Sequence, residues 1–407
     1  MRKFDFKKVM AGIALFGYST VHAVAGDLPN KPVWWVNAWN VVQQQSDFMS
    51  RSVIASGKLP RSLQYGLVPT RDWTSGFFPG TLWYIYAHTR DKKWCEKAEK
   101  VSMLLKDEQY NATDHDTGFR MYCSFGNGWL FTGNKDYKEV VIRSARTLAS
   151  RYSYKTGLIM SWEPNPDRDW QYPVIIDNMM NLELIMEASK LAGDTLLRRI
   201  ALNHADKTMK CQYRTDYSCP HVVDYDASTG KMRKHDWNNG SKDPNTSVWS
   251  RGQSWGLYGF TMMYRETGDK RYLTHAGQIA DFLLAHPNLP ADMIPYWDYS
   301  GPGISKVRDS SAAAIMASGL LELSCYVEKG ERYFKAAEKI LQSLASPEYL
   351  ATPGTHGDFI LKHATGNCMY KSELDGALVY GDYYFVEGLL RYLNLLNNRK
   401  CLDYVDR

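Results

Sequence analysis

The 407 residues carry 49 Lys and Arg against 44 Asp and Glu, a formal charge of +5. Residues 1–25 contribute four basic and one acidic side chain, so the rest of the chain holds only +2. A nearly neutral chain with dispersed charge lacks the basic patch that nucleic-acid binding needs. The length suits either two ordinary domains or one closed barrel around a single core.

In chain order, the first segment reads as a secretory signal. Arg2, Lys3, Lys7 and Lys8 precede an apolar run over 9–21, and Ala23-Val24-Ala25 forms a small-residue exit before Gly26. The expected organisation is therefore a signal peptide over 1–25 and a single domain over 26–407, exported and periplasmic. No cysteine stands at the exit for lipid attachment, and no stretch is long and apolar enough to anchor the chain in a membrane.

Apolar periodicity predicts about twelve helices, beginning near Val36, Phe77, Lys92, Gly118, Lys135, Asp177, Thr195, Trp249, Asp269, Asp309, Glu331 and Gly381. Leu273, Ala276, Ile279, Ala280, Leu283 and Leu284 form one clear stripe, and Phe334, Ala337, Ile340, Leu341 and Leu344 another. A turn token recurs between helices, as in Thr132-Gly133-Asn134-Lys135-Asp136-Tyr137 and Thr267-Gly268-Asp269-Lys270-Arg271-Tyr272, with a version lacking glycine at Thr89–Trp94 and shorter ones at Ala192–Asp194 and Lys329–Tyr333. In this token glycine takes the left-handed helix end, Asp or Asn caps the next helix, and an aromatic one turn later packs back. Short turns alternate with long connections over 57–76, 107–117, 152–176, 215–248, 286–308 and 346–380. Six helical hairpins with all long loops on one face predict an all-α (α/α)6 barrel whose active site lies on that face. Within the fourth long connection, 222–237 reads as a β-hairpin turning at Asp226-Ala227-Ser228-Thr229-Gly230.

Two acidic motifs stand at long-loop-to-helix junctions, His115-Asp116-Thr117-Gly118-Phe119 and Ile175-Ile176-Asp177-Asn178. A lone aspartate there is ordinarily a helix cap. Two of them at one barrel mouth, among apolar neighbours, also suit proton transfer to a sugar, because neighbouring carboxyls force one to keep its proton. Trp249-Ser250-Arg251-Gly252-Gln253-Ser254-Trp255-Gly256 offers an arginine able to grip a substrate carboxylate with two prongs, flanked by two tryptophans as walls. The competing assignment for these residues is core packing. With 13 Trp in the chain, tryptophan serves both purposes, and composition does not choose between them. Asp309 in Arg308-Asp309-Ser310-Ser311 reads as a structural cap. The histidines at 235, 356 and 363 have no metal-ligand spacing, and no phosphate loop, dinucleotide fingerprint or nucleophile elbow occurs, so no cofactor and no metal are expected. The seven cysteines lack paired spacing and read mostly as buried free thiols, with a Cys211–Cys219 bridge as the alternative.

These motifs resemble glycoside hydrolase family 88, the unsaturated glucuronyl hydrolases. The resemblance runs from about Asp72 to Leu395 and includes Asp72-Trp73-Thr74-Ser75-Gly76-Phe77, the His115–Phe119 and Ile176-Asp177 motifs, the strip from Trp249 to Gly256, Arg308-Asp309-Ser310-Ser311 and Gly381-Asp382-Tyr383-Tyr384. It implies an (α/α)6 barrel, with Asp177 as general acid/base and Asp116 as the second essential carboxylate. It further implies sugar contacts from Trp73, His115, Phe119, Trp162, Trp249, Arg251, Trp255 and Ser372. Where many members have His-Gln-Gly-Asn, this chain has His235-Asp236-Trp237-Asn238-Asn239-Gly240 and extra residues before Trp249, so the contact made there by glutamine passes to Asn238 or Asn239. The implied reaction removes a 4,5-unsaturated uronic acid from the non-reducing end of lyase-generated chondroitin, hyaluronan or heparin oligosaccharides, by protonating C4 and hydrating C5. The alternatives are an unsaturated galacturonyl-rhamnose hydrolase of pectin breakdown, a polysaccharide lyase on a similar helical toroid, and a secreted glycan-binding protein without activity.

Overall fold

The computed structural model describes residues 31–300 and 306–404, so the expected signal peptide lies outside the described residues. Among these are thirteen α-helices: α1 (Val33–Ser56), α2 (Phe77–Thr89), α3 (Lys92–Met103), α4 (Thr117–Met121), α5 (Asn127–Thr132), α6 (Lys135–Ala149), α7 (Asn178–Ala192), α8 (Thr195–Cys211), α9 (Ser250–Thr267), α10 (Lys270–Ala285), α11 (Ser310–Ser324), α12 (Gly330–Leu344) and α13 (Val379–Leu396). They form the (α/α)6 barrel. A π-helical turn at Tyr122–Gly126 joins α4 to α5, so this pair acts as one broken inner helix. None of the described helices is long and apolar enough to cross a membrane.

The two rings differ in how their sequences are buried. Outer helices such as α6, α10 and α12 hide a single stripe, with Tyr333, Phe334, Ala337, Ile340, Leu341 and Leu344 buried on α12. Inner helices are buried on all sides, α11 from Ser310 to Leu323 and α13 from Val379 to Leu395. The inner ring closes through contacts of α2 with α13, α13 with α11, α11 with α9, α9 with α7, α7 with α4, and α5 back to α2. Glycines let these helices approach by their backbones. A Cβ on Gly118 would lie 2.7 Å from the Cα of Asn181, one on Gly319 3.3 Å from the Cα of Tyr258, and one on Gly381 3.2 Å from the Cα of Ser311. Charges inside the ring are paired: Arg391 donates to Glu322 at 3.1 Å and to Glu387 at 3.2 Å, and Tyr84 donates to Glu387 at 2.6 Å.

The turn token behaves as expected in four of five places. Gly133, Gly193 and Gly268 take φ of 67°, 66° and 72° at helix ends, and Arg90 takes φ 56° where glycine is missing. Asp91, Asn134, Asp194 and Asp269 each cap the following helix through a side-chain oxygen. In the fifth, Gly330 begins α12 and does not end the preceding helix, and a Cβ there would meet the Ser324 carbonyl oxygen at 1.9 Å.

The expected hairpin is β6 (Val222–Tyr225) paired with β7 (Met232–Asp236). It is wider than the sequence indicated. β5 (Pro173–Ile175) pairs antiparallel with β6, Ile175 opposite Val222, and this sheet ends directly before α7. Smaller hairpins, β1 (Leu59–Ser62) with β2 (Gly66–Val68) and β3 (Tyr152–Ser153) with β4 (Leu158–Ile159), are further additions to the expected pattern. All seven cysteines are free, so the Cys211–Cys219 bridge does not form, and only Cys123, Cys219 and Cys401 are buried.

Candidate active site

Asp116 and Asp177 occupy the residue before α4 and before α7, yet neither side chain caps its helix. Asp309, in the same position before α11, does cap, accepting from the Ser311 and Ala312 amides at 3.1 and 3.4 Å. The two carboxylates at the barrel mouth are thus released from the usual local task of their position. Each residue keeps 8% exposure, so both are enclosed but open to the mouth.

Their surroundings divide them electrostatically. Burial, helped by the charges of Asp114 and Asp177 and opposed by Arg120, holds the Asp116 carboxyl well above the usual range, which favours its acid form. Burial also pushes Asp177 up, but a hydrogen bond from His221 and the positive charge of Arg251 outweigh it and leave Asp177 below its ordinary value. His221 Nε2 lies 3.2 Å from Asp177 Oδ1. The tautomer follows from the other side of the ring, where Nδ1 accepts from the Asn239 amide at 2.9 Å. Nε2 therefore carries the hydrogen and donates it to the carboxylate. His115 is fully enclosed beside Asp116, at 3.4 Å from Oδ1, and burial lowers it to about 4, so it is neutral near pH 7. The two carboxyls are thus shifted in opposite directions, Asp116 up and Asp177 down.

Aromatic rings build the wall. Trp249 lies 4.6 Å from the His221 ring by centroids and Trp162 lies 5.8 Å from it. Trp73 packs on Phe119 at 5.6 Å and on Tyr380 at 5.0 Å. The family model for Glycosyl Hydrolase Family 88 matches residues 49–384. The chain belongs to this family. An unsaturated glucuronyl hydrolase of Formosa agariphila is 45% identical over 350 residues, covering 84% of this chain and 86% of that protein. One of Bacillus sp. strain GL1 is 32% identical over 341 residues, covering 81% and 88%. A crystal structure of an unsaturated glucuronyl hydrolase specific for heparin superposes with a TM-score of 0.85 at 44% identity, covering 89% of this chain and 97% of that one.

Within the family 88 chain, the residues expected at the site fall into two groups. Asp116, Asp177, Trp73, Trp162, Asn239 and Ser372 retain some exposure at the mouth or its rim. Asn239 takes part through its backbone, on His221, and its side-chain oxygen is buried without a protein partner. Ser372 sits on a rim loop, its hydroxyl 3.0 Å from that of Tyr65. Trp255 is completely enclosed between Phe119 and Tyr384, at 5.2 and 5.3 Å, so it is core and not a sugar wall. Phe119, His115 and Trp249 are likewise buried and shape the site from behind.

Arg251 departs furthest from expectation. Its Nη1 donates to Asp309 Oδ2 at 2.6 Å and to the Thr365 carbonyl at 2.7 Å, and its Nη2 to the Gly366 carbonyl at 2.8 Å. The guanidinium lies between the Trp249 and Tyr380 rings, at 4.7 and 5.1 Å. Its prongs are engaged inside the protein, so it is a strut joining α9, α11 and the 365–366 loop, and it acts on Asp177 through charge. His221 was the residue that the sequence reading missed. Strand register brings it there: Ile175 opposes Val222, and the Ile176 amide donates to the His221 carbonyl at 3.3 Å.

Proposed function

We propose that this chain is an unsaturated glucuronyl hydrolase acting on glycosaminoglycan fragments left by lyases. The observation that carries the reading is the unequal pair of uncapped aspartates, Asp177 held by the Nε2–H of His221 at 3.2 Å and shifted toward the anion, Asp116 shifted by burial toward the acid form. The active form is the singly protonated pair. The substrate brings its own carboxylate to the mouth, and that added negative charge draws the proton toward Asp177. Asp177 delivers it to C4 of the ring double bond, and positive charge develops at C5. Water adds at C5 and returns a proton to Asp177, which restores the pair. The resulting hemiketal opens by breaking its C5–O5 bond, which leaves C1 as a hemiacetal that releases the partner sugar.

Identity orders the substrates to test. The heparin-specific relative shares 44% of its sequence with this chain, whereas the chondroitin disaccharide hydrolase of Streptococcus agalactiae shares 31%. Heparin disaccharides are the first expected substrates, ahead of chondroitin, hyaluronan and pectin products. The assay follows the ultraviolet absorbance of the conjugated double bond. It should disappear with glycosaminoglycan disaccharides, and Asp177→Asn should abolish the loss. An unchanged signal across the whole panel would overturn the proposal.

The basic, apolar and small-residue order of residues 1–25 supports export, with the mature protein working outside the cytoplasm. Protein recovered from the periplasmic fraction should begin near Gly26, and a cytoplasmic product retaining Met1 would refute this.

A further inference from the structure

Three aspartates stand before helices at the mouth, and each helix settles its first amides differently. Asp309 does so itself: its backbone is extended, φ −131° and ψ 88°, and its side chain accepts from the Ser311 and Ala312 amides. α7 closes its own first turn, since the Met179 and Met180 amides donate to the Ile176 and Asp177 carbonyls at 3.0 Å. α4 uses a third way. The Phe119 amide, the third of the helix and one that a capping side chain at Asp116 would take, donates at 2.9 Å to Oδ1 of Asn181 on α7.

Asn181 is fully buried within a helix, a place asparagine disfavours unless its amide is engaged. It lies one turn after Asp177, and its Nδ2 donates to the Asp177 carbonyl at 3.4 Å. One side chain thus links the starts of the two helices that carry the acid pair. Gly118 makes the approach possible, because a Cβ there would lie 2.6 Å from Asn181 Oδ1. The backbone of Asp116 is held from its other side. Asp114 Oδ1 accepts from the Asp116 amide at 2.8 Å, and Arg120 grips Asp114 with two nitrogens at 2.8 and 3.1 Å. This turn keeps Asp116 at φ −77° and ψ 14°, away from the extended form in which Asp309 caps.

We propose that Asn181 is a positioning residue for Asp116, a cap lent by the neighbouring helix that leaves the Asp116 carboxyl free for the substrate. Without Asn181 the Phe119 amide is a buried donor lacking its acceptor, and the side chain placed by the chain to supply one is Asp116 itself. The carboxyl is then drawn away from the mouth and onto its own helix. The catalytic consequence rests on the activity proposed above, whereas the orientation of Asp116 does not.

Crystal structures and disaccharide kinetics of Asn181→Ala and Asn181→Asp test this. In Asn181→Ala the Asp116 carboxyl should accept from the Phe119 amide, and kcat should fall about a hundredfold with KM nearly unchanged. Asn181→Asp keeps an acceptor of the same reach, so the Asp116 carboxyl should stay uncapped in that structure. Should the space left by alanine unfold the protein, Asn181→Leu fills it without an acceptor and carries the same expectations. An Asp116 carboxyl that keeps its orientation in the variant lacking the acceptor would overturn the proposal, whatever the rate. So would a turned carboxyl with unchanged kcat, or one that turns in Asn181→Asp as well. If the wild type consumes no unsaturated disaccharide, the activity falls, while the structures still decide whether Asn181 frees Asp116.

Discussion

His221→Phe isolates the bond that sets the charge of Asp177. The replacement keeps a ring against Trp249 and Trp162, whose centroids stand 4.6 and 5.8 Å away, and deletes both nitrogens. One loss is the donor at 3.2 Å from Asp177, the other the acceptor for the Asn239 amide at 2.9 Å. A hydrogen bond to a charged group contributes about 1.5–3 kcal/mol, so kcat/KM should fall about 10- to 100-fold. The pH dependence has a definite sign. His221 favours the anion, so without it Asp177 binds its proton more tightly, and the acid limb of the kcat/KM profile should move to higher pH. Stability follows the same linkage. Asp177 is lowered in the folded state, so its contribution is present above the ordinary carboxylate range and fades as pH falls through the folded value. The Tm deficit of the variant should therefore be largest near neutral pH and shrink in acid. Initial rates of absorbance loss across pH, with thermal unfolding at neutral and acidic pH, measure all three effects. A superimposable pH profile with unchanged kcat/KM would refute the role given to His221.

Two further outcomes test the neighbouring framework. Arg251→Lys keeps the charge but loses the fork that reaches Asp309, Thr365 and Gly366, so thermal unfolding should show a stability loss of about 1–3 kcal/mol; unchanged Tm with weakened substrate binding alone would restore the clamp role instead. Burial raises the Asp382 carboxyl to about 7 despite its hydrogen bonds from the Ile360 and Leu361 amides. Its stabilising contribution is therefore complete below the ordinary carboxylate value and is lost as pH rises through about 7, so the Tm of Asp382→Asn relative to wild type should climb between acid and mildly alkaline pH. A difference independent of pH would contradict that assignment.

Most of the barrel could be read before any coordinates, because its signals are local. Stripe spacing and the Gly-Asp turn placed helix starts such as Lys135, Thr195 and Lys270 within a residue of where they lie. The junction positions of Asp116 and Asp177 were equally plain, since they depend on where a loop meets a periodic segment. Side-chain direction was not legible. Asp116, Asp177 and Asp309 share one position relative to their helices, and only the last turns back to cap. Trp255 and Trp162 are chemically the same, yet one is sealed in the core and the other stands at the mouth, a choice made by ring closure. His221 depends on pairing between strands 44 residues from Asp177. The apolar run at 173–176 and Val222-Val223 before the Asp226–Gly230 turn carry that register, but only once both are read as neighbouring strands.

The glycines at the inner helix crossings have a consequence for how such an enzyme changes. Backbone-to-backbone contact leaves the ring no slack, since a single methyl at 118 would press on Asn181 and shift the start of α4, which carries Asp116. The bore of the barrel is thus a fixed dimension, like a bearing race cut to one size. Adaptation to a different glycan falls to the attachments around its lip, where residues can be added or exchanged without disturbing the gauge beneath.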